Sequence, residues 1–422
     1  MRRARSTICG ILRFMHASRP DAQSAETVQR FLTDRIKTTG PIPVAEFMSA
    51  CLTAPMAGYY SGGSQESIFG RSGDFITAPE LSQFMGEMLA IWLHCIVQQI
   101  LCHKGSWQLV ELGPGSGEMA KDILTTLRRF TDLSQLAVNL VDVSPQLMLS
   151  QAKKISTKFP SNNNSDMIPS YRTEYETDLG CSAMWHHHLE SIPRDRFSVF
   201  LAHEFFDALP VHQFAKRDYE WREVLIDVTD AGKFSAVLAT TKTTAQKVYL
   251  TPEFLQTVPD EQDFLEICPK GAALAQQMTQ QITASGGVAL FIDYGHFGVP
   301  KGDTLRGFRR HKLVDALEFA GNCDITADVN FSYLLHHIRD SATIVGPVKQ
   351  RDFLANMGIS QRFGALMAKS RTVAEKEYLT KCYNLLMSPE EMGDRFKVCA
   401  IFPRVLEPYF SKRPPPGFEM FS

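Results

Sequence analysis

One stretch of the 422-residue chain leaves little choice about how it folds: WQLVELGPGSGEMAKDILTTLRRF, residues 107–130. WQLVEL is a short apolar run suited to a strand buried on both faces of a parallel sheet. GPGSG, with glycine at 113, 115 and 117, makes a tight turn. The helix that follows is predicted to point Met119, Ile123, Leu127 and Phe130 inward. AVNLVDV is a second strand, after which Ser144 caps a helix whose first position is Pro145. Strand, helix, strand, helix opens a doubly wound, Rossmann-like α/β sheet. FSVFLAHEFF and GGVALFIDYG supply further strands, ending near His203 and at Asp293.

The rest of the chain is arranged around that core. Val28, Phe31, Leu32 and Ile36 recur at helical spacing, and residues 25–104 read as an N-terminal helical cap region. Within it, Thr77 and Glu80 have capping-box spacing around Pro79, and a long helix is predicted from there to about Leu101. Residues 105–209 form the first part of the core. The span 210–284 is expected to be an insertion and the substrate region, since Glu220 to Thr240 alternate like antiparallel strands. Residues 285–410 complete the core and add C-terminal elements. No run of about eighteen apolar residues occurs, so no membrane-spanning helix is expected.

Residues 1–20 differ from the rest. Arg2, Arg3, Arg5, Arg13 and Arg19 interleave with Ile8, Ile11, Leu12 and Met15, and no acid precedes Asp21. That composition is a mitochondrial transit peptide. Removing the five arginines takes the formal charge from −2 to −7, so the remaining chain is acidic and suits no general nucleic-acid partner. The nine cysteines include no CxxC pair and no zinc-ligand set, so no metal site is expected.

Chemistry concentrates at strand ends. Glu111 closes the first strand, ahead of Gly113, Gly115 and Gly117. Glycines let backbone approach a ligand, and the helix start offers unpaired N–H groups. A dinucleotide enzyme, the enzymatic rival here, needs G-x-G-x-x-G, and Glu118 would occupy the third glycine position, adding charge where two phosphates must sit. G-x-G-x-G after an acid is instead the S-adenosylmethionine loop. Asp142 closes the second strand, where an acid accepts bonds from both ribose hydroxyls. Glu204, just past the strand ending at His203, points into the crevice at the carboxyl edge of the sheet, with Asp207 three residues on and Asp293 at the end of another strand. Asp207 could equally cap a turn before Pro210. Phe205 and Phe206 read as core, His296 as a loop residue, and His186 to His188 as surface.

These segments resemble a known family. ELGPGSG, LVDVSPQL, AHEFFDALPVHQF, FIDYGH, TLRGFRRHK and DITADVNFSYL look like successive motifs of the MidA-type methyltransferases, and GDFITAPELSQFMGE and GDRFKVCAIF look like it too. The resemblance implies a class I S-adenosylmethionine-dependent methyltransferase core and brings Asp74 into the cofactor-binding set. It also implies a mitochondrial, matrix-located complex I assembly factor that dimethylates arginine in a core subunit of the hydrophilic arm. Glu204 would then be the first catalytic carboxylate, with Asp207 or Asp293 as the second. Asp142 stands where the motif often has glutamate, and His203 where asparagine is more usual. The rival from another class is an assembly factor that keeps the fold and catalyses nothing.

Overall fold

The computed structural model describes residues 20–55, 57–61, 83–156, 161–162, 165–166, 169–298, 302–310 and 312–419. The arginine-rich leader, Asp74 and the Thr77–Glu80 capping box lie outside them.

The chain opens with α1 (Pro20–Thr39), β1 (Ile42–Pro43) and α2 (Val44–Thr53). Val28, Leu32 and Ile36 of α1 are buried as their spacing requires, but Phe31 is 56% exposed. The helix α3 (Phe84–His94) runs on as a π-helical stretch to Ile100. Then come β2 (Trp107–Leu112), α4 (Glu118–Leu127), β3 (Leu136–Val141) and α5 (Pro145–Ile155). The Ser144 side chain accepts the Leu147 N–H, as an N-cap does. Met119, Ile123 and Leu127 are buried, whereas Phe130 is 52% exposed: α4 has already ended at Leu127, so helical spacing no longer aims the ring inward.

Past a two-residue hairpin that pairs Ser161–Asn162 with Ser165–Asp166 come β4 (Glu174–Glu176), β5 (Ser182–His186) and β6 (Phe197–His203). An antiparallel group comes next: β7 (His212–Arg217), β8 (Glu220–Val228), β9 (Phe234–Leu238) and β10 (Phe264–Ile267). β1 joins this small sheet through Ile42 opposite Ile226. The helix α6 (Pro269–Ser285) packs instead on the large sheet, burying Ala275, Met278 and Ile282 with Phe200 and Phe291. The inserted sheet thus ends at Ile267, not near 284; an amphipathic pattern reveals a helix's buried face but not its partner.

The chain closes with β11 (Gly287–His296), β12 (Arg306–Arg309), β13 (Lys312–Val314), β14 (Asp324–Thr326), β15 (Val329–Asn330) and β16 (Ala342–Lys349). After these stand α7 (Ile359–Lys369), α8 (Val373–Met387) and β17 (Phe396–Pro403). The large sheet has the order β16–β17–β11–β6–β2–β3–β5–β4, with β15 beside β11. From β11 to β5 it is parallel, and the strands at both ends are antiparallel. A separate core joins α1 and α2 to the small sheet and β14, around Leu32, Phe47, Ile226 and Ile325. Among the described residues no helix is long and apolar enough to cross a membrane.

Candidate functional site

Register brings the strand-end acids together. Leu112 pairs with Val141 and with Ala202, and Ala202 pairs with Phe291. Glu111, Asp142, Glu204 and Asp293 therefore stand within two residues of one line across the parallel strands, at their carboxyl ends. That edge is where open α/β sheets bind ligands.

The turn after β2 is shaped by glycine. Gly113 has φ +63°, and a Cβ there would meet the Phe205 ring at 3.0 Å. Gly117, with φ +84°, starts α4, and a Cβ there would meet the Gln151 Cα at 2.9 Å. Both positions need left-handed backbone and close packing at once, which only glycine meets. Gln151, fully buried on α5, rivets this corner. Its amide donates to Gly115 O and to Asp142 Oδ2, each at 2.8 Å, and its oxygen accepts from the Trp185 indole at 2.9 Å.

Two carboxylates face this corner with little compensation. Asp142 accepts the Ser144 N–H at 2.9 Å besides the Gln151 bond, yet burial pushes its pKa up to about 6. Glu111 is 1% exposed, and neither of its oxygens has a hydrogen-bond partner among the described residues. Burial, and then the charge of Asp142, push it up to about 8. A buried acid without a partner is costly unless a ligand supplies donors or positive charge. A nucleoside with ribose hydroxyls and an ammonium group fits both acids, and the glycine turn leaves room for its backbone-side approach.

The neighbouring half of the edge is the turn after β6. Glu204 donates its N–H to Ile292 O at 3.0 Å and adopts φ +50°, an uncommon conformation for a residue with a side chain. Strain of that kind persists where surrounding structure imposes it. Here Asp293 does so: its Oδ2 accepts the N–H groups of Phe205 at 3.1 Å, Phe206 at 2.9 Å and Asp207 at 3.4 Å. Asp293 is fully buried, and burial followed by the charges of Asp207 and Glu204 raises its pKa. It holds the turn rather than lining the crevice. Asp207 does line the crevice; burial pushes it up to about 6, while the Tyr294 hydroxyl and the Arg306 guanidinium pull it back. His203 is buried beside Glu204, its Nδ1 3.7 Å from the carboxylate, and burial lowers its pKa to about 4, so it is neutral near pH 7.

A single cavity of about 320 Å³ joins the two halves, lined by Glu111, the glycine turn and Asp142 on one side and by His203, Glu204, Phe205 and Asp207 on the other. Phe206 is core, packed on Phe291 at 4.8 Å, but Phe205 lines the cavity. The three consecutive histidines divide. His186 is buried and bonded to Asn139 and Ser191, contrary to its reading as surface, while His187 and His188 are exposed at the cavity wall. His296 binds Gly298 O through Nδ1 and stands away from the cavity. Sequence reasoning missed Gln151, Tyr60 and Asp324, all at or behind the wall. Only DITADVNFSYL, quoted above for its resemblance, carried a signal, and it covers Asp324 alone.

Fold and site together define a class: an S-adenosylmethionine-dependent methyltransferase. Residues 88–348 match the family described as S-adenosyl-L-methionine-dependent methyltransferases, and the chain belongs to it. Among its relatives is the mitochondrial protein arginine methyltransferase NDUFAF7 of Homo sapiens, 40% identical over 400 residues, 92% of this chain and 86% of that one. The mitochondrial NDUFAF7 homolog of Caenorhabditis elegans is 38% identical over 395 residues, 93% of this chain and 90% of that one. A Burkholderia thailandensis structure of a methyl transferase superfamily member, bound to S-adenosyl-homocysteine, is 26% identical with a TM-score of 0.73, covering 96% of each chain.

Proposed function

We propose that this enzyme is a mitochondrial protein arginine N-methyltransferase that works in the matrix on a core subunit of the hydrophilic arm of complex I during its assembly. The names of its relatives point to arginine and to mitochondria. The observation that carries the reading is a pair of carboxylates, Glu204 and Asp207, on the wall of the same cavity as Glu111 and Asp142.

When bound, S-adenosylmethionine supplies a methyl group on a sulfonium, the S–C bond breaking with its electron pair left on sulfur. Glu111, the turn from Gly113 to Gly117, and Asp142 would hold it. An arginine guanidinium is planar, cationic and carries five N–H donors. Glu204 and Asp207 accept these in a fork, hold one nitrogen in line and take the proton it sheds as its new bond to carbon forms. A carboxylate whose pKa burial has raised to about 6 is a better proton acceptor near neutrality than an ordinary one. Neutral His203 adds no charge against the incoming cation.

The test uses the hydrophilic arm of complex I isolated from cells lacking this protein, incubated with isotopically labelled S-adenosylmethionine and read by mass spectrometry. The expected result is label on an arginine of a core subunit, lost with Glu204→Gln although that variant still binds S-adenosylhomocysteine. No label with the native enzyme would leave an assembly factor that keeps the fold without the reaction. Near-native turnover of Glu204→Gln would remove Glu204 from its role.

A further inference from the structure

Two residues on the cavity wall come from neither the glycine turn nor the turn after β6. Tyr60 follows α2, pinned by its own N–H to Leu52 O at 2.9 Å and by an edge-on contact of its ring with Tyr59 at 5.2 Å. Asp324 opens β14 and is 4% exposed. The Tyr60 hydroxyl donates to Asp324 Oδ1 at 2.8 Å. Burial, then the neighbouring Asp324 charge, keep the phenol protonated and so always a donor. Asp324 is also tied to the reacting turn: three residues on, the Ala327 N–H donates to Asp207 O at 3.0 Å. Thus Asp207 and Asp324 are fixed relative to each other by backbone, and the direction of the Asp324 carboxylate is fixed by a tyrosine from the cap.

This arrangement asks for a cation with many donors. Glu204, Asp207 and Asp324 line the same cavity, and a compact ammonium offers three donors in no fixed plane. A guanidinium offers five in a rigid plane that several carboxylates can share. We propose that Asp324, aimed by Tyr60, is a positioning residue for the acceptor guanidinium: it takes N–H groups that Glu204 and Asp207 leave over and so fixes which nitrogen faces the methyl donor. The inference rests on the arginine reading above and adds to it the part that selects and orients the acceptor.

Steady-state kinetics test it, with the unmethylated hydrophilic arm as acceptor and S-adenosylhomocysteine affinity measured in parallel by calorimetry. Tyr60→Phe keeps the ring and removes one hydrogen bond to a charged group. It should raise KM for the arm about tenfold while leaving S-adenosylhomocysteine affinity unchanged. Asp324→Asn should raise KM further and change the ratio of singly to doubly methylated arginine, and Asp324→Glu should restore part of both. Native KM and native product ratio in Tyr60→Phe and Asp324→Asn would overturn the inference, as would a KM change matched by an equal loss of S-adenosylhomocysteine affinity. Should Asp324→Asn not fold, Tyr60→Phe decides alone. If the native enzyme labels no arginine, the arginine reading falls and this inference with it; if it labels arginine and the variants behave as native, only the inference falls.

Discussion

Glu111 shows what a single side chain contributes before any ligand arrives. Its carboxyl is buried without a partner, so the folded protein holds its proton up to about pH 8, against 4.5 for an ordinary glutamate. A raised carboxyl pKa means that the folded state binds a proton the unfolded chain has released. The stabilisation is therefore complete below about 4.5 and is lost as pH rises toward about 8. Asp142, pushed up to about 6 from 3.8, acts in the same direction over a lower window. The ligand-free enzyme should accordingly melt at lower temperature as pH goes from 5 to 8, less steeply in Glu111→Gln and less steeply with S-adenosylhomocysteine bound. Differential scanning fluorimetry measures this, and identical slopes for Glu111→Gln and the native protein would rule out the assignment. Glu111 and Asp142 were legible because an acid at the end of an apolar run announces its position. Gln151 was not: its value lies in touching Asp142, Gly115 and Trp185 together, and contacts across elements leave no local pattern.

At the scale of elements, the turn after β6 depends on a strand residue 86 to 88 positions further on. Asp293 accepts three successive N–H groups of that turn, directly after Glu204 with its left-handed backbone. Asp293→Ala should cost about 2–4 kcal/mol, the penalty for leaving several buried donors unpaired, read as a lower midpoint in urea. An unchanged midpoint would show that water serves the turn equally well. The strands themselves were readable, since WQLVEL, FSVFLAH and GVALFIDYGH are runs that only a sheet covered on both faces buries. Harder were the places where an element's partner mattered. Residues 269–284 fall within the expected insertion because no local pattern says which sheet a segment covers. His186 looked like part of a polar run until β5 carried it inward to Asn139. The segment TLRGFRRHK carries Arg306, Arg309, Arg310 and Lys312, and charge runs of that kind are usually solvated. Yet Arg306 is bonded to Asp328 at 2.6 Å and lies 4.7 Å from the Tyr294 ring centre, as part of the site's own scaffold.

Taken whole, the molecule joins its beginning to its middle. α1, α2 and β1 share one core with the inserted sheet and β14, so the acceptor side of the cavity is braced by residues far apart in the chain. Leu32, fully buried in that core, should cost about 2–5 kcal/mol when replaced by alanine. Hydrogen exchange should show the loss concentrated in β8 and β14, and loosening spread evenly over the large sheet as well would mean that the cores do not act as separate units. The bond between Tyr60 and Asp324 spans 264 positions. The carboxylate proposed to orient the acceptor is therefore aimed by a side chain from the opposite end of the sequence, a contact of high sequence separation. A disturbance of the amino-terminal cap is thus passed to the acceptor wall through the Tyr60 hydroxyl, whereas the nucleoside corner, clamped by Gln151 and Trp185, is built without that link.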